Sequence, residues 1–252
     1  MIDLRGRVAM VTGGSRGIGW ACVEALSRAG AQVAFTWNRD REAALEAMRE
    51  LRKQEVTGEA VRLDLGDAAS AEEAVGFVRE RFGRIDILVN NAGIWNAEPR
   101  RFPELGDAEL SRMLDVNLKG AMQVTRSAVV DMVENGWGRV VNVGSTAGVR
   151  GEAGHSHYAA SKGALLAWSR SLTGELAPSG VTVNVVSPGW VFTDMTRDVL
   201  TSDYVARIES EIPTQRLTRP DDVAGAVLFL ASDLAAQVSG VNLDINGGAV
   251  FS

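Results

Sequence analysis

Short, nearly continuous apolar runs recur along the chain at residues 8–11, 32–36, 60–63, 85–90, 139–144, 181–185 and 241–245. Between them, residues 16–29, 40–54, 70–82, 107–134, 158–177 and 221–231 return an apolar side chain every three to four positions. The first pattern predicts strands covered on both faces, the second amphipathic helices. Alternation of seven such strands with six such helices predicts an α/β, doubly wound Rossmann fold, a parallel sheet with helices on both faces. No internal repeat, low-complexity tract or Pro/Gly/Ser-rich linker interrupts the alternation, so residues 1–252 are read as one domain. The least periodic stretch, 188–219, contains Pro213 and ends at Pro220, a residue suited to the first turn of the next helix.

Ligands of such a sheet bind beyond the C-terminal strand ends, which directs attention to residues 12–19, 90–93, 145 and 188–193. The first strand empties into Thr12-Gly13-Gly14-Ser15-Arg16-Gly17-Ile18-Gly19 and then a helix. Glycines there permit a tight turn and close backbone approach to a pyrophosphate, which the helix N-terminus stabilises. The acid that usually binds a dinucleotide ribose is expected at the end of the second strand. That place reads Thr36-Trp37-Asn38-Arg39, without a carboxylate, and Arg16, Asn38 and Arg39 suit a 2′-phosphate. NADP(H) is therefore favoured over NAD(H).

Tyr158 and Lys162 stand four residues apart in a helical segment, so the phenol and the ammonium share a face. A phenol with a pKa of about 10 is a weak acid at neutral pH, and a fixed positive charge beside it lowers that value. The pair has the form of a proton-transfer device.

With the glycine loop and three further motifs, the chain resembles the short-chain dehydrogenase/reductase family, in its compact subgroup, nearly from end to end. Thr12, Gly13, Gly17 and Gly19 match the family's TGxxxGxG loop; Asp64, followed by Leu65, matches the acid that meets the adenine amino group. Asn90-Asn91-Ala92-Gly93 matches the NNAG segment beside the cofactor, and Pro188-Gly189, Val191 and Thr193 match the segment touching the nicotinamide amide. Asn117, Ser145, Tyr158 and Lys162 fall at the family's catalytic tetrad. The resemblance implies that Ser145 donates to a substrate carbonyl, Tyr158 delivers the proton, and Lys162 lowers the phenol pKa and contacts the nicotinamide ribose. Asn117 is expected to hold a water linking Lys162 to solvent. The resemblance also implies a homotetramer packed through segments 107–134 and 158–177. Met113, Val116, Ala128 and Met132 on the first and Ala164, Leu165, Trp168 and Leu172 on the second widen the apolar surface of these helices.

Trp95, Trp190, Phe192 and Met195 lie near the expected pocket mouth, with His155 just before the tyrosine. They suit a small apolar carbonyl or alcohol substrate. Within the family the texture is nearest the 3-oxoacyl carrier-protein reductases, which present basic residues beside the pocket to an acidic carrier. Here the corresponding stretches read Glu134-Asn135-Gly136-Trp137 and Pro178-Ser179-Gly180, without positive charge, which disfavours an acyl-carrier partner. A reading of another class, a nucleotide-sensing protein without turnover, would be favoured by loss of the tetrad, which is complete.

Composition narrows the partners. The net charge of −6 disfavours a nucleic-acid or anionic-membrane surface. The single cysteine, Cys22, excludes an intramolecular disulfide and suits a reducing cytoplasm. No run reaches membrane-spanning length, residues 1–11 lack the features of a leader, and no metal-ligand cluster is evident.

Overall fold

In the computed structural model, which describes residues 2–252, the strands are β1 (Val8–Val11), β2 (Gln32–Trp37), β3 (Gly58–Arg62), β4 (Ile87–Asn90), β5 (Gly138–Val143), β6 (Val181–Pro188) and β7 (Asn242–Ile245). They form one sheet in the order β3-β2-β1-β4-β5-β6-β7, and every pairing is parallel. The inner strands β1, β4, β5 and β6 are buried along their whole length, whereas the edge strands β3 and β7 are half-exposed. This distribution explains why the central runs read as unbroken apolar sequence.

Helices α1 (Gly17–Arg28), α2 (Arg41–Lys53), α3 (Ala68–Phe82), α4 (Asp107–Leu114), α5 (Ala121–Glu134), α6 (Thr146–Arg150), α7 (Ser156–Leu176), α8 (Ser202–Glu211) and α9 (Pro220–Leu230) connect the strands. Local chemistry sets several ends. Asp40 and Asp67 cap α2 and α3 by accepting from the Ala43 and Ala69 amides, and Gly83 closes α3 in the left-handed region at φ 85°. One core, on the α1/α9 side, includes Val11, Leu26, Phe35 and Val227; the other, on the α3/α5 side, includes Met10, Val78, Leu88 and Met132.

Three features depart from the sequence pattern. Segment 107–134 is not one regular helix: a π-helical turn, Asp115–Gly120, separates α4 from α5. The stretch 188–219 contains α8, whose Tyr204, Val205 and Ile208 pack with Trp190, Leu200, Ile212 and Leu217 in a small cluster apart from the sheet. The five-residue helix α6 follows β5 at the site itself.

The side chains expected to give α4–α5 and α7 a surplus apolar surface are largely used within one copy of the chain. Met113, Ala128, Met132 and Leu165 are fully buried, and Val116 and Leu172 pack against the α3/α5-side core. Leu114, Val130 and Val133 are the large apolar side chains that remain exposed on this long helical unit. No helix among the described residues is long and apolar enough to cross a membrane.

Candidate active site

The strand order turns at β1, which pairs with β2 on one side and with β4 on the other, so the crossovers leave in opposite directions and open a crevice at the C-terminal strand ends. A cleft of about 990 Å³ occupies this place. Gly13, Ser15, Arg16, Gly17, Ile18 and Gly19 form its floor. Gly13 and Gly17 hold φ of 65° and 55°, values that favour glycine, and no side chain caps the N-terminus of α1. A Cβ on Gly19 would collide with the Gly13 carbonyl oxygen, so the helix start sits directly on the turn. A bare helix N-terminus facing a cleft, with glycines where backbone must come close, fits a dinucleotide pyrophosphate.

Thr12 is placed differently from the expectation. It is buried below the cleft, where its Oγ1 accepts from the Asn91 and Ala92 amides at 3.0 Å each, and it does not line the cavity. Asn91 returns the brace by donating to the Thr12 and Gly13 carbonyls. Farther along the wall lie Asn38, Arg39, Asp64, Leu65, Ala92 and Gly93. The 2′ end holds an acid after all: Asp40 lines the cleft and its carboxylate sits 3.2 Å from Arg16 Nη1. Arg16 also approaches Asp194 at 3.7 Å, whereas Arg39 forms no ion pair among the described residues. Arg39 is therefore the freer cation for a 2′-phosphate, and Arg16 must be shared with Asp40.

At the other end of the cleft, β5 and α7 bring Ser145, Tyr158 and Lys162 together. Ser145 caps α6 by accepting from the Ala147 amide at 3.1 Å. Burial pushes the Tyr158 phenol up to about 12; the Ser145 hydroxyl beside it opposes this shift and the Glu152 charge adds to it. Lys162 is buried, its Nζ donates to the Val143 carbonyl at 2.8 Å, and burial pulls its pKa down to about 8. The ammonium lies 5.9 Å from the centre of the Tyr158 ring. The expected lowering of the phenol pKa is thus absent from the chain alone, because desolvation of the hydroxyl outweighs a cation at this distance.

Asn117, in the π-helical turn, does not line the cleft and its side chain is not free to hold a water. It accepts from the Ile94 amide at 2.7 Å and donates to the Ile94 carbonyl at 2.9 Å and to Ser161 Oγ at 3.2 Å. It ties the Gly93–Trp95 segment to α7 one residue before Lys162, a positioning task. Below it, Asn90 donates to Thr125 and Asn142, and Asn142 donates to Ser169, a buried polar ladder joining β4, β5 and α7.

Trp95, Trp190 and Met195 line the mouth, and Pro188, Gly189, Val191 and Thr193 continue the wall toward the glycine loop. Thr193 Cγ2 would be 3.3 Å from a Cβ on Gly17, so the segment after β6 reaches across the crevice. Phe192 points away and is exposed, and His155 is buried behind Trp95, which stacks on it at 5.2 Å. Neither lines the cavity, in contrast to the sequence reading. Arg112, Arg150 and Glu152 line it without having been anticipated; Arg150 and Glu152 sit in and just after the unforeseen helix α6. Turns 134–137 and 178–180, which carry no positive charge, meet through the Gly138 amide and the Gly180 carbonyl. They precede β5 and β6, at the sheet end opposite the cleft, so they are not beside this chain's own pocket.

A family model described as enoyl-(acyl carrier protein) reductase matches residues 13–250. The 3-oxoacyl-[acyl-carrier-protein] reductase FabG of Escherichia coli K12 is 38% identical over 247 residues, 98% of each chain. The chain belongs to the short-chain dehydrogenase/reductase family. It is an NAD(P)-dependent oxidoreductase of that family. Among solved structures, a gluconate 5-dehydrogenase from Burkholderia cenocepacia J2315 in complex with NADP and tartrate superposes with a TM-score of 0.91 at 29% identity, covering 98% of this chain and 96% of that one. A blue fluorescent protein from a metagenomic library in complex with NADPH gives 0.91 at 35% identity over 99% and 100%. The short-chain dehydrogenase/reductase scaffold thus extends over the whole sheet and the cleft described above.

Proposed function

We propose that this protein is an NADP(H)-dependent carbonyl reductase of small ketones, with Ser145, Tyr158 and Lys162 as its catalytic residues and Asn117 as their brace. One observation carries the reading: a half-buried tyrosine, with a serine beside its hydroxyl and a buried lysine behind its ring, faces a cleft whose far end suits a dinucleotide. When bound, the reduced nicotinamide supplies a hydride to the carbonyl carbon. Ser145 orients the carbonyl oxygen, and Tyr158 gives that oxygen its proton, so a secondary alcohol leaves. A phenol raised to about 12 is protonated at neutral pH, the form from which Tyr158 can donate. Lys162 holds the cofactor ribose, and Asp64, Leu65 and Asn38 border the adenosine half. The NADP- and NADPH-bound structures of similar proteins and the free Arg39 support the 2′-phosphate preference. The exposed Leu114, Val130 and Val133 support self-association as a homotetramer, and a reducing cytoplasm suits the buried thiol of Cys22.

The decisive assay follows loss of NADPH absorbance with a panel of diketones, simple ketones and short 3-oxo thioesters, repeated with NADH. Turnover of none of them would overturn the reading. Cofactor choice has its own check. Replacing Arg16 and Arg39 together by Ala is expected to weaken NADPH binding by about ten- to a hundredfold, as loss of charge-assisted hydrogen bonds of about 1.5–3 kcal/mol requires, and to leave NADH binding nearly unchanged. Equal losses for both cofactors in a fluorescence titration would contradict the assignment.

A second reading, a 3-oxoacyl-[acyl-carrier-protein] reductase, is favoured by the similarity to FabG of Escherichia coli. An acidic carrier needs a complementary basic surface, and such steering weakens as salt rises. Turns 134–137 and 178–180 lie at the sheet end opposite the cleft, so recruitment would fall to the cleft rim; without it a short 3-oxo thioester is expected to be reduced about as efficiently as its carrier-bound form, with little salt dependence. A carrier-bound substrate better by a hundredfold or more, losing that advantage in salt, would establish the second reading and assign the recruiting role to other arginines, such as Arg112 and Arg150 at the cleft.

A further inference from the structure

Beside Met195, the mouth of the cleft carries linked aromatic rings, unlike the mainly aliphatic packing of both cores. Trp95 stacks on His155 at 5.2 Å with 24° between the planes; Trp190 meets Trp95 at 5.9 Å and 85°, and Tyr204 meets Trp190 at 5.9 Å and 85°. Trp95 belongs to neither core of the sheet, and Trp190 is anchored through Tyr204 in the separate cluster around α8. Both indoles remain half-exposed and line the cleft that Tyr158 faces. His155 stands three residues before Tyr158 on the approach to α7, so the stack fixes the plane of Trp95 relative to the proton donor.

Two indoles held at right angles form a corner. A flat ring entering it stacks on one indole and meets the other edge to face, the two arrangements that the aromatic quadrupole favours. A saturated ring of similar size fills the same space without either gain. Packing alone does not account for the corner, since a wall that served only to close the mouth would be buried by its neighbours. Resting on the carbonyl-reductase reading above, we infer that the favoured substrate is an aromatic ketone, its ring seated between Trp95 and Trp190 and its carbonyl at Tyr158 and Ser145.

Three probes of stated chemistry test this with NADPH: acetophenone, cyclohexyl methyl ketone of similar size, and butane-2,3-dione, which has no ring. For the unaltered protein kcat/KM for acetophenone is expected to exceed that for the cyclohexyl ketone by about tenfold or more. Trp95→Leu should bring that ratio close to one and Trp95→Phe should retain most of it, with an NADPH titration of each variant establishing that it is folded. Equal rates for the two ring ketones, or a ratio that Trp95→Leu leaves unchanged, would overturn the inference. If the dione is reduced while the ring ketones are inert or equal, the aromatic assignment falls and the reductase reading stands. If none of the three consumes NADPH, both fall.

Discussion

Tyr158→Phe is expected to lower kcat for ketone reduction by roughly 10²–10⁴-fold, the usual contribution of a positioned general acid, while leaving NADPH affinity nearly unaltered. The substitution removes one oxygen and keeps the ring, and the ring is what packs at the start of α7. The hydroxyl it removes lines the cleft beside Ser145 and carries a transferable proton, with Lys162 Nζ 5.9 Å from the centre of its ring. Ser145 remains in the variant to orient the carbonyl, which accounts for residual turnover. Steady-state kinetics and a parallel cofactor titration separate the two effects. A variant that keeps more than about a tenth of the activity would remove Tyr158 from the proton-donor role.

The doubly covered parallel sheet was readable because burial on both faces leaves its mark on every residue of β1, β4, β5 and β6. The glycine loop was readable for a related reason, since positive φ at Gly13 and Gly17 restricts what can stand there. Other features leave no such mark. A π-helical turn keeps nearly the same apolar spacing as the helices it joins, so Asp115–Gly120 looked regular, and the bonds of the Asn117 side chain to Ile94 and Ser161 were not legible. Helix α8 packs its apolar side chains on Trp190 and not on the sheet, which hides it from a pattern tuned to sheet-facing helices. Asp40 caps α2, and the same carboxylate also reaches Arg16 across 24 positions of sequence, a contact that no local spacing announces. His155 and Phe192 flank the site in sequence, yet one lies under Trp95 and the other faces solvent; side-chain direction at such loops is set by tertiary contacts that no local spacing encodes.

Lys162 shows what the site costs the fold. Its ammonium is buried with a single acceptor in the chain, the Val143 carbonyl, and its pKa is pulled from 10.5 down to about 8. An unfolded lysine keeps its proton to about 10.5, so between these values the unfolded chain binds more protons and stability rises with pH. Below about 8 both states are protonated and the penalty is fully present, on the order of 3 kcal/mol. Lys162→Met removes the buried charge at similar length and leaves only one carbonyl to be resatisfied, at about 1 kcal/mol or somewhat more. The cofactor-free variant is therefore expected to be at least as stable as the unaltered protein at pH 7. Its advantage should shrink as both are moved to pH 10, because only the unaltered protein gains on the way. Turnover should fall by more than about a hundredfold, since the cation proposed to hold the ribose and to back Tyr158 is gone. Urea unfolding of both proteins without cofactor at the two pH values, beside NADPH titrations, measures each part. A variant that loses more than about 2 kcal/mol at pH 7, or a stability difference that does not change with pH, would show that the buried lysine is a structural support and not a functional charge kept at the expense of stability.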